Sequence, residues 1–278
     1  MAKVDTKFAL ALPKSSSLSF TGGKPQVPQA KGVEKAAGVP YINFFSGQQK
    51  SETRQQLQKA LPKDTLLDEG QFFLCTRDEV VLLPQANTLM WAIEVYSTWA
   101  VQTSDGEVIK ASAESFDAVP VPPKNEPKKP GIVGRCVVAV LADLGNGKLV
   151  ATLATLRTSA GRLDGLKQLL KARELGNDAE WLKANDKVRA YVPDEAAVFR
   201  AALQAQTPVV KAGGNTWTGF KGPIVPFPPK REYIDALGPA VNDAEMQRRC
   251  AEWWKQEVAE LIAKGGQPLE AGQPAAGE

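Results

Sequence analysis

The chain has 278 residues, enough to bury a sizeable core in one large domain or two modest ones. Its composition, 43% hydrophobic and 23% charged, is that of a folded protein, and a net charge of +3 does not by itself point to nucleic acid. Histidine is absent, which excludes Ser-His-Asp and Cys-His catalysis, imidazole-ligated zinc and the usual general base near neutral pH.

Residues 1–38 mix Ser15-Ser16-Ser17, Gly22-Gly23 and Pro/Gln/Lys punctuation with little apolar content, so a disordered basic segment is expected. The start lacks the apolar stretch of a secretory signal, and no apolar run approaches the roughly 20 residues of a membrane span. A cytoplasmic location without a membrane partner is therefore the expectation. Folding should begin at the apolar segment 39–45, followed by a polar helix-favouring stretch from Ser51 to about Ala60 that Pro62 stops.

From Gly70 the character changes to β, with short runs at 71–75 and 79–83 around a charged turn at Thr76-Arg77-Asp78. Residues 89–102 alternate: Leu89, Trp91, Ile93, Val95, Ser97, Trp99 and Val101, nearly all apolar, at odd positions, and Glu94, Tyr96, Thr98 and Gln102 among the even ones. Period-2 alternation predicts a long strand, bent or bulged, with Trp91 and Trp99 on a buried face and Tyr96 on a wet one. Thr103-Ser104-Asp105-Gly106 reads as a hairpin turn into a returning strand at 107–111. Residues 119–131 then hold five prolines and three lysines, an extended connection that fits a domain linker or a long loop equally well.

Residues 135–156 predict a hairpin: an apolar strand at 136–142 covered on both faces, the turn 143–147, and a strand from Lys148. Thr158 or Ser159 is placed to cap a helix reaching about Glu174, with Leu163, Leu166, Leu169 and Leu170 on one side. Beyond it come a short helix at 178–184, a strand at 188–192, a helix from Asp194 to about Gln204 and a final strand over 216–225 interrupted by glycine. Asn242 or Asp243 caps the best helix, which ends near Gly265 with Met246, Cys250, Trp253, Trp254, Val258, Leu261 and Ile262 as its apolar stripe. Residues 265–278 are rich in Gly, Ala, Pro and Gln and read as a disordered tail.

Motifs for chemistry are few. Cys75, Cys136 and Cys250 are far apart, and no CxxC spacing exists, so neither a zinc knuckle nor a disulfide framework is indicated. Gly145-Asn146-Gly147-Lys148 lacks the Ser or Thr and the following helix of a phosphate loop. Glu126-Pro127-Lys128 has the spacing of a nuclease pair but sits in the proline-rich connection, where carboxylates are not held rigidly. No metal, cofactor or catalytic residue is assigned, and a non-enzymatic protein is expected.

Charge is segregated. Residues 1–31 carry five lysines against Asp5; residues 135–174 carry seven basic residues against Asp143, Asp164 and Glu174. Residues 211–231 interleave Lys211, Lys221, Lys230 and Arg231 with Trp217, Phe220 and Phe227 and hold no acid. Aromatic platforms beside cations are what non-specific single-strand binding uses, since bases stack on rings and phosphates meet cations. The candidate nucleic-acid-binding residues are Lys211, Trp217, Phe220, Lys221, Lys230 and Arg231, with Arg135, Lys148, Arg157, Arg162 and the wet-face Tyr96.

The element pattern predicts an α+β fold with a β-rich core, either an oligonucleotide-binding (OB)-like barrel or a partly open antiparallel sheet, carrying inserted helices and a long C-terminal helix. In domain terms this is a β-rich OB-like unit over 39–240 and an amphipathic helix at 241–264, whose residues 243–264 suit a protein partner or self-association, so that a non-enzymatic protein-interaction or virion-associated protein is the alternative reading. The succession VPYINFF, DEGQFFLCT, CVVAVLAD with LVATLATLRTSAGRLDGLKQLL, and NTWTGFKGPIV, spanning about residues 39–227, resembles phage- and plasmid-encoded single-stranded DNA-binding proteins with an embellished OB fold. That resemblance implies a role in phage or plasmid DNA replication or recombination. One departure is the tail, which has only Glu270 and Glu278 where such proteins often end in a strongly acidic run, so tail-mediated partner recruitment is not carried over.

Overall fold

At the centre of the structure, a computed structural model, is the hairpin at Asp143. Gly145, Asn146 and Gly147 all take positive φ (83°, 53° and 75°), which glycine and asparagine tolerate best, and the Asp143 carboxylate accepts from the Gly145 N–H at 2.9 Å. The residues described are 38–45, 70–76, 80–102, 108–113, 131–159, 162–212, 215–263 and 267–268. The expected disorder of 1–38 and 265–278, the helix at 51–60 and nearly all of 119–131 lie largely outside them.

In chain order the strands before the first helix are β1 (Tyr41–Phe44), β2 (Phe72–Cys75), β3 (Val80–Leu83), β4 (Thr88–Gln102), β5 (Val108–Ala113), β6 (Gly131–Asp143) and β7 (Leu149–Ser159). Next come α1 (Leu163–Leu175), α2 (Ala179–Ala184), two 3₁₀ segments (Asp186–Ala190 and Asp194–Phe199), β8 (Ala201–Gln204), β9 (Val209–Ala212), β10 (Asn215–Thr218) and β11 (Ile224–Pro226). The chain then closes with α3 (Arg231–Val241), α4 (Ala244–Ala263) and β12 (Gln267–Pro268).

Ten strands form one sheet, eight of them in the order β11-β8-β4-β6-β7-β1-β2-β3, with β5 on the far half of β4 and β12 beside β5. Pairing is antiparallel except between β1 and β7 and between β12 and β5. The path has two ends and the sheet is not closed, which is the partly open form of the expected β-rich core. It is nevertheless curled: β3 runs through the turn 84–87 directly into β4, where Ala86 N–H reaches Ala205 O and the Thr88 hydroxyl reaches Pro84 O. Leu83 and Val81 from one end of the path therefore share a core cluster with Met90 and Leu203. β5 and β6, on either side of 119–131, both pair with β4, so that segment connects strands of one sheet.

β4 carries a bulge between Ala92 and Glu94, and it corrects the expected faces. Before it, Leu89 and Trp91 lie on one side and Met90 and Ala92 on the other, all buried. The even positions here are core, not wet, because helices cover one face and the curl of the sheet covers the other. After the bulge the parity changes. Beyond it the register pairs Tyr96 with Arg135, Thr98 with Val133 and Trp99 with Ile132, and the side chains of 94–102, with the expected faces of Tyr96 and Trp99, lie outside the described residues.

The Leu89 face meets α2, the 3₁₀ segments, α3 and α4 in one cluster; Trp91 sits in it with Phe199 and Phe227 rings at 5.8 and 5.6 Å and donates its indole N–H to Phe199 O at 3.1 Å. α1 packs on the opposite face through Leu166 and Leu169. α2 is capped as expected, Asp178 accepting from Trp181 N–H, and α4 begins at an Asp243 cap. α4 gives Cys250 and Trp253 to the core, so this part of the amphipathic helix serves the fold.

Four local expectations are corrected. Residues 188–192 are not a strand and 194–204 is not one helix, because the buried Arg200 gathers this stretch: it donates to Val192 O and Gly176 O and pairs with Asp194. Chain bound in that way forms 3₁₀ turns, and β8 follows. Thr158 and Ser159 do not cap α1; β7 runs through both, and Arg162 stands at the cap without a side-chain bond. The expected strand at 216–225 divides into β10 and β11, and α3, unexpected behind its prolines, follows.

Candidate nucleic-acid interface

The ladders of β4, β6 and β7 bring three expected site residues into a single row. Tyr96 lies opposite Arg135, and Arg135 lies opposite Arg157. Residues directly opposite in an antiparallel pair share a face with Cβ atoms about 4.5–5.5 Å apart. Arg157 is exposed and Arg135 half-buried, and each holds a further contact within the chain. In the next rows, Ser112, Thr98, Val133 and Ser159 stand in line, then Lys110, Ala100 and Gly131. By register, then, the Tyr96–Arg135–Arg157 row is followed at this end of the sheet by the Thr98–Ser112 and Ala100–Lys110 pairs. Glu94, opposite Val137, stands in the row adjoining that of Tyr96.

The other candidates do not join that face. Lys148 is exposed at the β6–β7 turn, nine residues along β7 from Arg157, which at ~3.3 Å per residue is about 30 Å away. Lys230 is at that same far end. Its ammonium lies 4.5 Å from the Tyr233 ring centroid and 3.2 Å from the Tyr233 hydroxyl, which itself donates to Asp143 at 3.1 Å. Hydrogen bonding from Gly145 N–H and then from Tyr233 holds the Asp143 carboxyl below its usual range, and the Tyr233 contact raises Lys230. This chain of contacts fastens the start of α3 to the hairpin turn. Arg231 is exposed and pairs with Asp235 on the next helical turn at 3.2 Å.

Lys221 is exposed and bridges to Gln206 beside α1, where Gly222 N–H reaches the Gln168 side chain. Phe220 is corrected. Its ring is 1% exposed, 5.5 Å from the Phe44 centroid and against Gly165, so it presents no face on which a base could stack. Phe227, from the same stretch, is also core. Lys211 and Trp217 belong to the β9–β10 hairpin, a two-stranded sheet of its own. Lys211 pairs with Thr216 and Trp217 with Val210, in adjacent rows of the ribbon, and their side chains lie outside the described residues. Arg162, half-buried, has its guanidinium 4.5 Å from the Phe44 ring and donates from Nε to Thr218 O at 3.2 Å; burial lowers its pKa.

Comparison with protein-family models, curated proteins and solved structures finds no match to this chain. The interface is therefore assessed on its own geometry. Lys110 was not among the expected residues, although Lys110 and Ser112 alternate with Ile109, Ala111 and Ala113 and so mark a polar face of β5. Among the described residues no three Cys, Asp or Glu side chains gather as metal ligands would, and no helix is long and apolar enough to cross a membrane.

Proposed function

We propose that the chain binds single-stranded DNA without catalysis, through the sheet face that carries Lys110, Tyr96, Arg135 and Arg157. The observation that supports this reading is the row of Tyr96, Arg135 and Arg157 across three adjacent strands, with Lys110 on β5 two rows away opposite Ala100. Two arginines directly opposite one another set two guanidinium groups within reach of a single phosphate. The row also holds a tyrosine, a residue type on which an unpaired base can stack for about 1–3 kcal/mol per stacked base. Hydroxyl residues in the neighbouring row add donors to phosphate or sugar.

An OB-like relationship is part of the same proposal. It draws on the long bulged β4, which pairs with β5, β6 and β8, and on the helix that follows β7. The setting, replication or recombination of a phage or plasmid genome, is the one the sequence resemblance implies. Fluorescence anisotropy of labelled oligo-dT and a matched duplex, each titrated at two salt concentrations, tests the reading. It expects single-strand binding that weakens with salt and a weaker duplex signal; no binding to either at low salt refutes it.

A further inference from the structure

We infer that Arg162 is a positioning residue that locks the β9–β10 hairpin onto the body of the protein, rather than a phosphate ligand. The hairpin makes no ladder with the ten-stranded sheet among the described residues, so contacts at its base set its orientation. Those contacts converge on Thr218, the last residue of β10. Its carbonyl accepts from Arg162 Nε at 3.2 Å, and its hydroxyl, buried, donates to Phe45 O at 3.3 Å. Gly219 N–H closes the base onto Pro208 O at 2.8 Å.

Arg162 is itself held by the Phe44 ring, 4.5 Å away, and that ring also packs on the buried Phe220. Burial lowers the pKa of its guanidinium. A cation at the first position before α1 also opposes the helix dipole, so its place there gains nothing from α1. What it gains is the link between β1, the start of α1 and the end of β10. Trp217 is one residue from the anchored Thr218, and Lys211 pairs one step further along, so the anchor governs where both stand.

The locking stands independently of any ligand; its consequence for DNA rests on the proposed function. The test is hydrogen exchange of the full-length protein as wild type, Arg162→Met and Arg162→Lys. Loss of one charged, half-buried hydrogen bond should speed exchange across 209–218 by on the order of tenfold in the methionine variant, with β6–β7 amides unchanged. The lysine variant, which keeps the cation over Phe44 and lacks the Nε donor, should fall between. Unchanged exchange in the hairpin, or equal acceleration throughout β6–β7, overturns the inference.

Oligo-dT titration supplies the second arm. A positioning residue should weaken binding several-fold and leave the slope of log affinity against log salt unchanged. A phosphate ligand would lower that slope by about 0.7, and such a drop overturns the inference. If the wild type binds no oligo-dT, the functional proposal fails, while the exchange comparison still decides the role of Arg162.

Discussion

Phe220→Ala separates packing from binding at a residue whose sequence context suggests the second. The ring is 1% exposed, packs at 5.5 Å on Phe44, and lies so close to Gly165 that a Cβ there would fall 2.0 Å from it. The ring fills the space between Phe44 of β1 and Gly165 of α1, so its truncation leaves a cavity there. Removal of a buried phenylalanine costs about 3–5 kcal/mol, a large share of a total stability of roughly 5–15 kcal/mol. At ~4 kcal/mol the melting temperature should fall by about 8–16 °C. Urea titration followed by far-UV circular dichroism measures the loss directly, and Phe220→Leu should lose less than half as much. A loss under about 1 kcal/mol, together with weakened oligo-dT binding, would place the ring on the surface and refute the core assignment.

Arg200→Met should destabilise by about 2–5 kcal/mol in urea titration, because Val192 O and Gly176 O lose their donor inside the protein. A neutral result would mean that the 3₁₀ segments do not depend on it. Gly176→Ala should cost about 1–3 kcal/mol in the same assay, since a Cβ there would lie 2.1 Å from the Ala197 carbonyl oxygen, which is backbone and yields little. Glu245 predicts a pH dependence. Hydrogen bonds from Arg248 and then Arg249 lower its pKa from the ordinary 4.5 to about 2, so its contribution is present above 4.5 and lost as pH falls through 2. Wild type should therefore melt above Glu245→Gln at pH 7, and the gap should close between pH 4.5 and 2; a gap that persists at pH 2 contradicts the pairing.

Elements set by local chemistry were legible in the sequence. The β6–β7 hairpin announced itself through Gly145-Asn146-Gly147, α2 through Asp178 and α4 through Asp243, because each signal acts within a few residues. Sidedness of β4 was not legible beyond Ala92. Alternation shows that a strand has two faces, and a bulge, which the length suggested, exchanges them at a position only the partner strand reveals. The alignment of Tyr96 with Arg135 and Arg157 likewise depends on pairing between segments some forty to sixty residues apart.

Lys110 escaped attention on the same ground. The 3₁₀ segments misled because their cause, Arg200, is tertiary, and 188–192 and 194–204 carry apolar content that suits a strand or a helix equally. Phe220 shows the limit of composition: an aromatic beside lysines reads the same whether it faces solvent or fills a core.

The most direct test of the account compares the salt dependence of oligo-dT binding for wild type, Arg135→Ala/Arg157→Ala, and Lys148→Ala/Arg231→Ala. The first pair lies in the row on the sheet face; the second lies at the far end of the β6–β7 hairpin and beside it on α3. The account expects the first double variant to bind more weakly with a slope smaller by about 1.4, two phosphate contacts at 0.7 each, and the second to match wild type. Equal slopes for wild type and the Arg135/Arg157 variant, or a loss confined to the Lys148/Arg231 variant, would contradict it.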